Sequence, residues 1–298
     1  DWSQFSFEKP QTVELKSPKQ PRPHQIPAIE AVINGFKEAD RGKLIMAPGT
    51  GKTYTSMVIA EKMAEKKDGP FRVLYLVPSI QLLSQSLRGW TADSKYRHDM
   101  DTFAVCSDRK VTKKIKGENE FEDIAAADLG YPATTDYEKL LERQNGIDSA
   151  DSQSKFLVVF STYQSIDVII EAQKNGFYEF DLVVCDEAHR TTGATEAGKE
   201  ASAFVKVHSD DNIKAKKRLY QTATPRIYGE DAKQKADEMS VVIADMNDET
   251  IYGEELYRIG FGDAVNKGIL TDYKVMVLAV DEEMIARSFQ NMLADKRN

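Results

Sequence analysis

Apolar residues in this chain gather in short, nearly continuous runs, and segments with helical spacing separate them. The runs cover residues 43–47, 71–77, 102–106, 156–160, 182–185, 218–221 and 273–280. They are rich in Val, Ile, Leu and Tyr and lack the strict alternation of a strand with one wet face. Such runs suit strands covered by helices on both sides, so the pattern predicts an α/β fold with a mainly parallel sheet. Residues 1–20 are polar and broken by prolines, and read as a linker or arm. Between 108 and 155 the pattern weakens and charges accumulate; this stretch reads as an insertion, helical around 137–143.

Composition leaves room for a large core, since 41% of the 298 residues are hydrophobic and 30% are charged. A net charge of −8 argues against coating nucleic acid through bulk positive potential, so any contact with DNA has to be local. No run approaches the roughly 18 consecutive apolar residues of a membrane span, and the start is no signal peptide. A cytoplasmic protein without a membrane partner is the default. Cys106 and Cys185 each end an apolar run and read as buried thiols. His24, His98, His189 and His208 lack metal-ligand spacing, so no structural zinc is expected. The chain opens on Asp1 rather than Met and stops in a charged, helix-like run, as a piece of a longer polypeptide would.

Candidate chemistry starts at the stretch MAPGTGKTYTSMVIAEKMA, residues 46–64, where an apolar run meets a glycine-rich turn, Lys-Thr and a helical segment. In that arrangement successive backbone N–H groups and a helix N-terminus wrap a phosphate chain. Pro48, Gly49, Thr50 and Gly51 would form the turn, Lys52 would reach the β and γ phosphates, and the Thr53 hydroxyl would ligate Mg²⁺. A Cβ at Gly49 or Gly51 would block the approach, and positive φ is expected there. The strict spacing pattern is not met, because Met46 stands where it places its first glycine. A second segment, Tyr178-Glu-Phe-Asp-Leu-Val-Val-Cys-Asp-Glu-Ala-His189, is an apolar strand ending in two adjacent carboxylates. Neighbouring side chains at a strand end point apart, so Asp186 can hold the Mg²⁺ shell while Glu187 faces the γ-phosphate and orients or deprotonates water. That is a hydrolase arrangement.

Together, Ala47-Pro-Gly-Thr-Gly-Lys-Thr53 and Asp186-Glu-Ala-His189 resemble motifs I and II of superfamily 2 helicases and translocases. Other pieces follow in family order. Arg22-Pro-His-Gln25 resembles the upstream element whose glutamine reads adenine, and Val77-Pro-Ser-Ile-Gln-Leu-Leu-Ser-Gln85 resembles motif Ia. Phe160-Ser-Thr-Tyr-Gln164 resembles a later strand-end motif on the nucleic-acid track, and Thr222-Ala-Thr-Pro225 resembles motif III. The resemblance implies nucleic-acid contacts at Ser79 and Thr162, and coupling of hydrolysis to movement at His189, Thr222 and Thr224. Several residues keep a plainer reading. Ser79 and Thr162 suit helix caps after strands, Gln25 an ordinary solvated residue, and Thr222 and Thr224 strand residues before a proline stop.

Longer runs narrow the resemblance. Asp186-Glu-Ala-His-Arg-Thr-Thr-Gly193, Arg218-Leu-Tyr-Gln-Thr-Ala-Thr-Pro-Arg-Ile-Tyr228 and Phe261-Gly-Asp-Ala-Val-Asn-Lys-Gly-Ile-Leu-Thr-Asp-Tyr273 look most like the ATPase of type ISP, single-polypeptide, restriction-modification enzymes. That likeness implies a RecA-like P-loop NTPase fold, with a first motor lobe over residues 21–272 and the start of a connection to a second lobe over 273–298. It also implies translocation along double-stranded DNA, with nuclease and methyltransferase domains in the parent chain. Nothing here resembles motifs IV to VI, so the family's arginine finger is not expected in this piece, and with it goes ~10³ to 10⁵ in rate. Rival functions share these motifs: a strand-separating DNA or RNA helicase, an ATP-gated nucleic-acid-binding module and, with least support, a small-molecule kinase.

Overall fold

The computed structural model describes residues 19–106, 133–150, 153–196, 202–228 and 241–272. Eight strands form one sheet in the order β10-β1-β8-β6-β2-β5-β3-β4, and every pairing within it is parallel. Its strands are β1 (Arg41–Met46), β2 (Phe71–Val77), β3 (Met100–Val105), β4 (Ala133–Thr134), β5 (Phe156–Thr162), β6 (Leu182–Cys185), β8 (Arg218–Thr222) and β10 (Glu254–Ile259). A separate antiparallel ribbon pairs β7 (Gly193–Glu196) with β9 (Val241–Ala244).

Continuous apolar runs become strands here because both sheet faces are covered. In β2, Val73, Tyr75 and Val77 enter one apolar cluster while Leu74 and Leu76 enter the other; Phe156, Val158 and Phe160 of β5 divide from Leu157 and Val159 in the same way. On the first face lie α1 (Ile26–Glu38), α2 (Lys52–Glu65) and α3 (Ile80–Asp93), with α7 (Phe261–Asn266) contributing Ala264. The second face carries α4 (Tyr137–Asp148), α5 (Ile166–Lys174) and the short α6 (Glu249–Tyr252). Trp90 of α3 meets the Tyr75 ring edge-on at 5.2 Å and the Phe160 ring at 5.7 Å, which pins α3 to the middle of the sheet.

The expected α/β class with a mainly parallel sheet is present, and among the described residues every pairing of the eight-stranded sheet is parallel. Strand β10 was not predicted. Its sequence, EELYRI, is charged and half exposed, with β1 its one strand neighbour among the described residues, and a covered-strand pattern does not find such a segment. Leu256 of β10 sits over Gly35 of α1 and Gly42 of β1, where added Cβ atoms would lie 2.4 and 2.3 Å from its methyl carbons. Helix α4 runs past residue 143 to Asp148, and β4 joins the sheet beside β3. The predicted strand at 273–280, residues 1–18 of the arm and 108–132 of the insertion lie outside the described residues.

Polar groups tie the C-terminal segment to this frame. Lys43 of β1 is buried and donates to the Met246 carbonyl at 2.9 Å. The half-buried His208 ring donates from Nε2 to the Thr191 carbonyl at 3.0 Å, leaving Nδ1 to accept from the Tyr220 hydroxyl at 3.1 Å. Burial pushes the His208 imidazole down from its ordinary range to about 4.

Two outcomes are expected. The folded state holds His208 neutral while the unfolded chain protonates it, so its contribution is complete above pH 6.5 and is lost as pH falls toward about 4. The loss should reach roughly 2 kcal/mol after allowance for partial solvent exposure. Urea unfolding at pH 7, 5 and 4 should show this slope, and His208→Gln should flatten it. Gly253, at φ 73°, would put a Cβ 2.1 Å from the Arg41 carbonyl oxygen. Gly253→Ala should therefore destabilise the protein by roughly 2 to 4 kcal/mol, read as a drop in Tm.

Candidate active site

Strand order brings the expected residues to one edge of the sheet. The turn after β1 and the acidic tip after β6 are separated only by β8, whose own end carries Thr222. All three lie at the carboxyl end of a parallel sheet, where ligands of such folds collect.

The glycine turn is built from its backbone outward. The Ala47 N–H continues the β10 pairing by donating to the Ile259 carbonyl at 2.9 Å, and the Thr50 hydroxyl donates to the Ala47 carbonyl at 2.6 Å. Gly49 and Gly51 take φ of 80° and 88°, the left-handed region expected of them. Gly51 is also the N-cap of α2, and a Cβ there would lie 2.5 Å from Gln25 Nε2. Gln25 is buried against this turn rather than solvated. Its Nε2 donates to the Thr50 and Gly51 carbonyls, both at 3.3 Å, and its Oε1 accepts from the Arg22 N–H at 2.9 Å. His24, which the sequence did not mark for this site, donates from Nε2 to the same Thr50 carbonyl at 2.9 Å. Pro48 and Gly49 form the exposed lip.

Lys52 opens α2 and sends its ammonium back over the turn, 3.4 Å from the Met46 carbonyl and 4.0 Å from Glu187 Oε1. Strand β6 ends at Cys185, so alternation along a strand is not what separates the two carboxylates. Glu187 adopts φ 48° and ψ 47°, the only non-glycine positive φ among the described residues, and this backbone turns its side chain toward Lys52. Asp186 points instead into the sheet's first face. It is buried, its Oδ1 accepts from the Glu187 N–H at 3.0 Å, and its Oδ2 accepts from the Tyr75 hydroxyl at 3.3 Å. The Tyr163 hydroxyl donates to the Asp186 carbonyl at 2.9 Å. Burial, and then the Glu187 charge, raise the Asp186 pKa. A carboxylate so placed gains from a cation.

Motif III meets motif II through a histidine. His189 Nδ1 lies 2.9 Å from the Thr222 hydroxyl and 3.4 Å from Glu187 Oε2, while the Thr222 hydroxyl accepts from the Thr224 N–H at 3.2 Å. Burial lowers the His189 pKa against the opposing pull of Glu187. Thr53 stands on the first turn of α2, directly after Lys52. Among the described residues no group of three or more His, Cys, Asp and Glu could hold a metal ion alone. A site of one carboxylate and one hydroxyl suits Mg²⁺, which keeps waters and shares its ligands with phosphate oxygens.

Ser79 and Thr162 sit at the same edge, following the paired ends of β2 and β5. Ser79 caps α3, accepting from the Leu82 N–H at 3.4 Å, and the buried Thr162 hydroxyl donates to Ser165 at 3.2 Å. Gln164 Nε2 joins the two segments by donating to the Pro78 carbonyl at 2.9 Å. Tyr75, Tyr163 and Gln221 are the site neighbours that the sequence did not reveal. They lie inside strands or follow one directly, so they read as core, and only the fold shows which carboxylate they face.

Comparison with known proteins agrees with this geometry. Residues 18–227 match the family described as type III restriction enzyme, res subunit. The structure of the ATP-dependent type ISP restriction-modification enzyme LlaBIII bound to DNA is similar at 56% identity and a TM-score of 0.80, over 100% of this chain and 19% of that one. A nuclease-deletion mutant of the type ISP enzyme LlaGI, in complex with a DNA substrate mimic, is similar at 48% identity and a TM-score of 0.66, over 84% of this chain and 21% of that one. The probable helicase A859L of African swine fever virus (isolate Pig/Kenya/KEN-50/1950) is 27% identical over 256 residues, 84% of this chain and 23% of its own length. The chain thus spans about a quarter or less of these proteins. With its glycine turn, acidic strand tip and parallel sheet, the chain belongs to the type III restriction enzyme res subunit family, as a helicase-like lobe similar to those of type ISP enzymes.

Proposed function

We propose that this lobe binds ATP and Mg²⁺ and is half of a motor that moves along double-stranded DNA within a restriction-modification enzyme. The observation that carries the reading is the approach of Lys52 to Glu187 at 4.0 Å, with His189 joining that carboxylate to Thr222. Nucleotide grip, hydrolytic base and the strand expected to transmit movement then form one connected cluster.

In this reading the N–H groups of residues 49–53 at the start of α2 hold the β and γ phosphates, and Lys52 leaves Glu187 to pair with them. Asp186 and Thr53 would hold Mg²⁺, which would supply positive charge against the phosphates. Glu187 orients and deprotonates the attacking water, and His189 senses the change and passes it to Thr222 and Thr224 on β8. Gln25 reads adenine while holding the turn. Ser79 and Thr162, with their neighbours, would track the DNA backbone, a contact that carries no base sequence. A second RecA-like lobe would supply the arginine finger and close on ATP. A nuclease and a methyltransferase in the parent chain would use the movement.

The similarity to the LlaBIII and LlaGI enzymes favours duplex translocation over strand separation. The similarity to A859L, named as a probable helicase, is the observation that favours the unwinding alternative.

Three measurements test the proposal. In the full-length chain, Lys52→Ala should abolish binding of a fluorescent ATP analogue. Glu187→Gln should keep that binding, slow hydrolysis by about 10² to 10⁴, and stop triplex displacement from duplex DNA. A Gln variant that kept its function in the ATP-bound form, without hydrolysis, would favour a nucleotide-gated binding module, and strand separation keeping pace with ATP use would favour a helicase. The 298-residue piece alone should hydrolyse ATP at least about 10³ times more slowly than the full chain, for want of an arginine finger.

A further inference from the structure

We infer that Tyr75 and Gln221 form a buried positioning pair that fixes the Asp186 carboxylate and so sets the affinity of the site for its divalent cation. The inference rests on the nucleotide reading above and gives a role to two residues to which that reading assigns none.

The Tyr75 side chain on β2 and the Gln221 side chain on β8 meet across β6, the strand between them. Both residues are fully buried. Gln221 Nε2 donates to the Tyr75 hydroxyl oxygen at 2.9 Å, and the hydroxyl is left to donate onward to Asp186 Oδ2 at 3.3 Å. One hydroxyl therefore joins β8 to the acidic tip after β6. Its ring cannot swing away, because Trp90 and Phe160 pack on it at 5.2 and 5.7 Å.

A purely packing role does not account for the hydroxyl. A phenylalanine would fill the same apolar space, and a buried O–H costs stability unless a partner is provided. Here the partner is the carboxylate expected to meet the cation. A donor at one carboxylate oxygen leaves the other lone pairs aimed in a fixed direction, which is how groups behind a metal ligand tune affinity, typically by 10- to 100-fold. Gln221 also precedes Thr222, so the strand that meets His189 at its end reaches the cation side through the residue before.

The test uses Tyr75→Phe and Gln221→Leu in the full-length chain, with Lys52→Ala beside them. Affinity for a fluorescent ATP analogue is measured in EDTA, and Mn²⁺ affinity by electron paramagnetic resonance at saturating nucleotide. Tyr75→Phe should weaken Mn²⁺ binding by about 10-fold, and Gln221→Leu should weaken it in the same direction, while metal-free nucleotide affinity stays within about twofold. Unchanged Mn²⁺ affinity in both variants overturns the inference. So does an equal loss of metal-free nucleotide binding, which would mark a general structural role. If Tyr75→Phe does not fold, Gln221→Leu decides by the same criterion. Should Lys52→Ala bind nucleotide normally, the nucleotide reading itself fails; if it abolishes binding while the other two variants behave as wild type, only the positioning pair is lost.

Discussion

An ammonium 4.0 Å from a carboxylate, delivered from two strands that do not touch, sets the terms for the rest of this lobe. Lys52 follows β1 and Glu187 follows β6, with β8 between, so their approach depends on a sheet that holds three strand ends in a row. Only a parallel arrangement puts all three carboxyl ends on one edge. Parallel strands need crossover segments, and those crossovers are the helices that bury both faces. The two apolar clusters are thus a condition of the site as well as the source of stability.

Charge is kept in check around that pair by close, mostly uncharged partners. Asp186 is surrounded by the Tyr75 hydroxyl, the Glu187 N–H and the Gln221 amide, and its backbone carbonyl is held by Tyr163. Glu187 is shared between Lys52 and His189. Gln25 and His24 do for the glycine turn what those groups do for the acidic tip, since they hold its Thr50 and Gly51 carbonyls. The result is an edge with donors and a cation on one side and acceptors on the other.

Much of this was legible in the sequence because each part follows a local rule. Runs of Val, Ile and Leu marked the covered strands, and Gly49, Gly51, Lys52 and Thr53 marked a turn whose φ values only glycine takes easily. What stayed hidden depends on non-local contact. Strand β10 is charged, with one strand neighbour among the described residues, and so carries no covered-strand signal. Tyr75 and Gln221 look like core in any window of sequence, since their meaning comes from a strand more than a hundred residues away. The divergence of the two carboxylates was expected from strand alternation, yet it arises from one left-handed residue after the strand has ended.

That left-handed backbone at Glu187 sets stability and activity against each other at a single position. An L-residue with a long side chain pays of order 1 kcal/mol or more to sit there, and glycine would not. Selection for heat resistance alone would favour glycine at position 187, yielding a sturdier lobe without the carboxylate that meets Lys52 and His189.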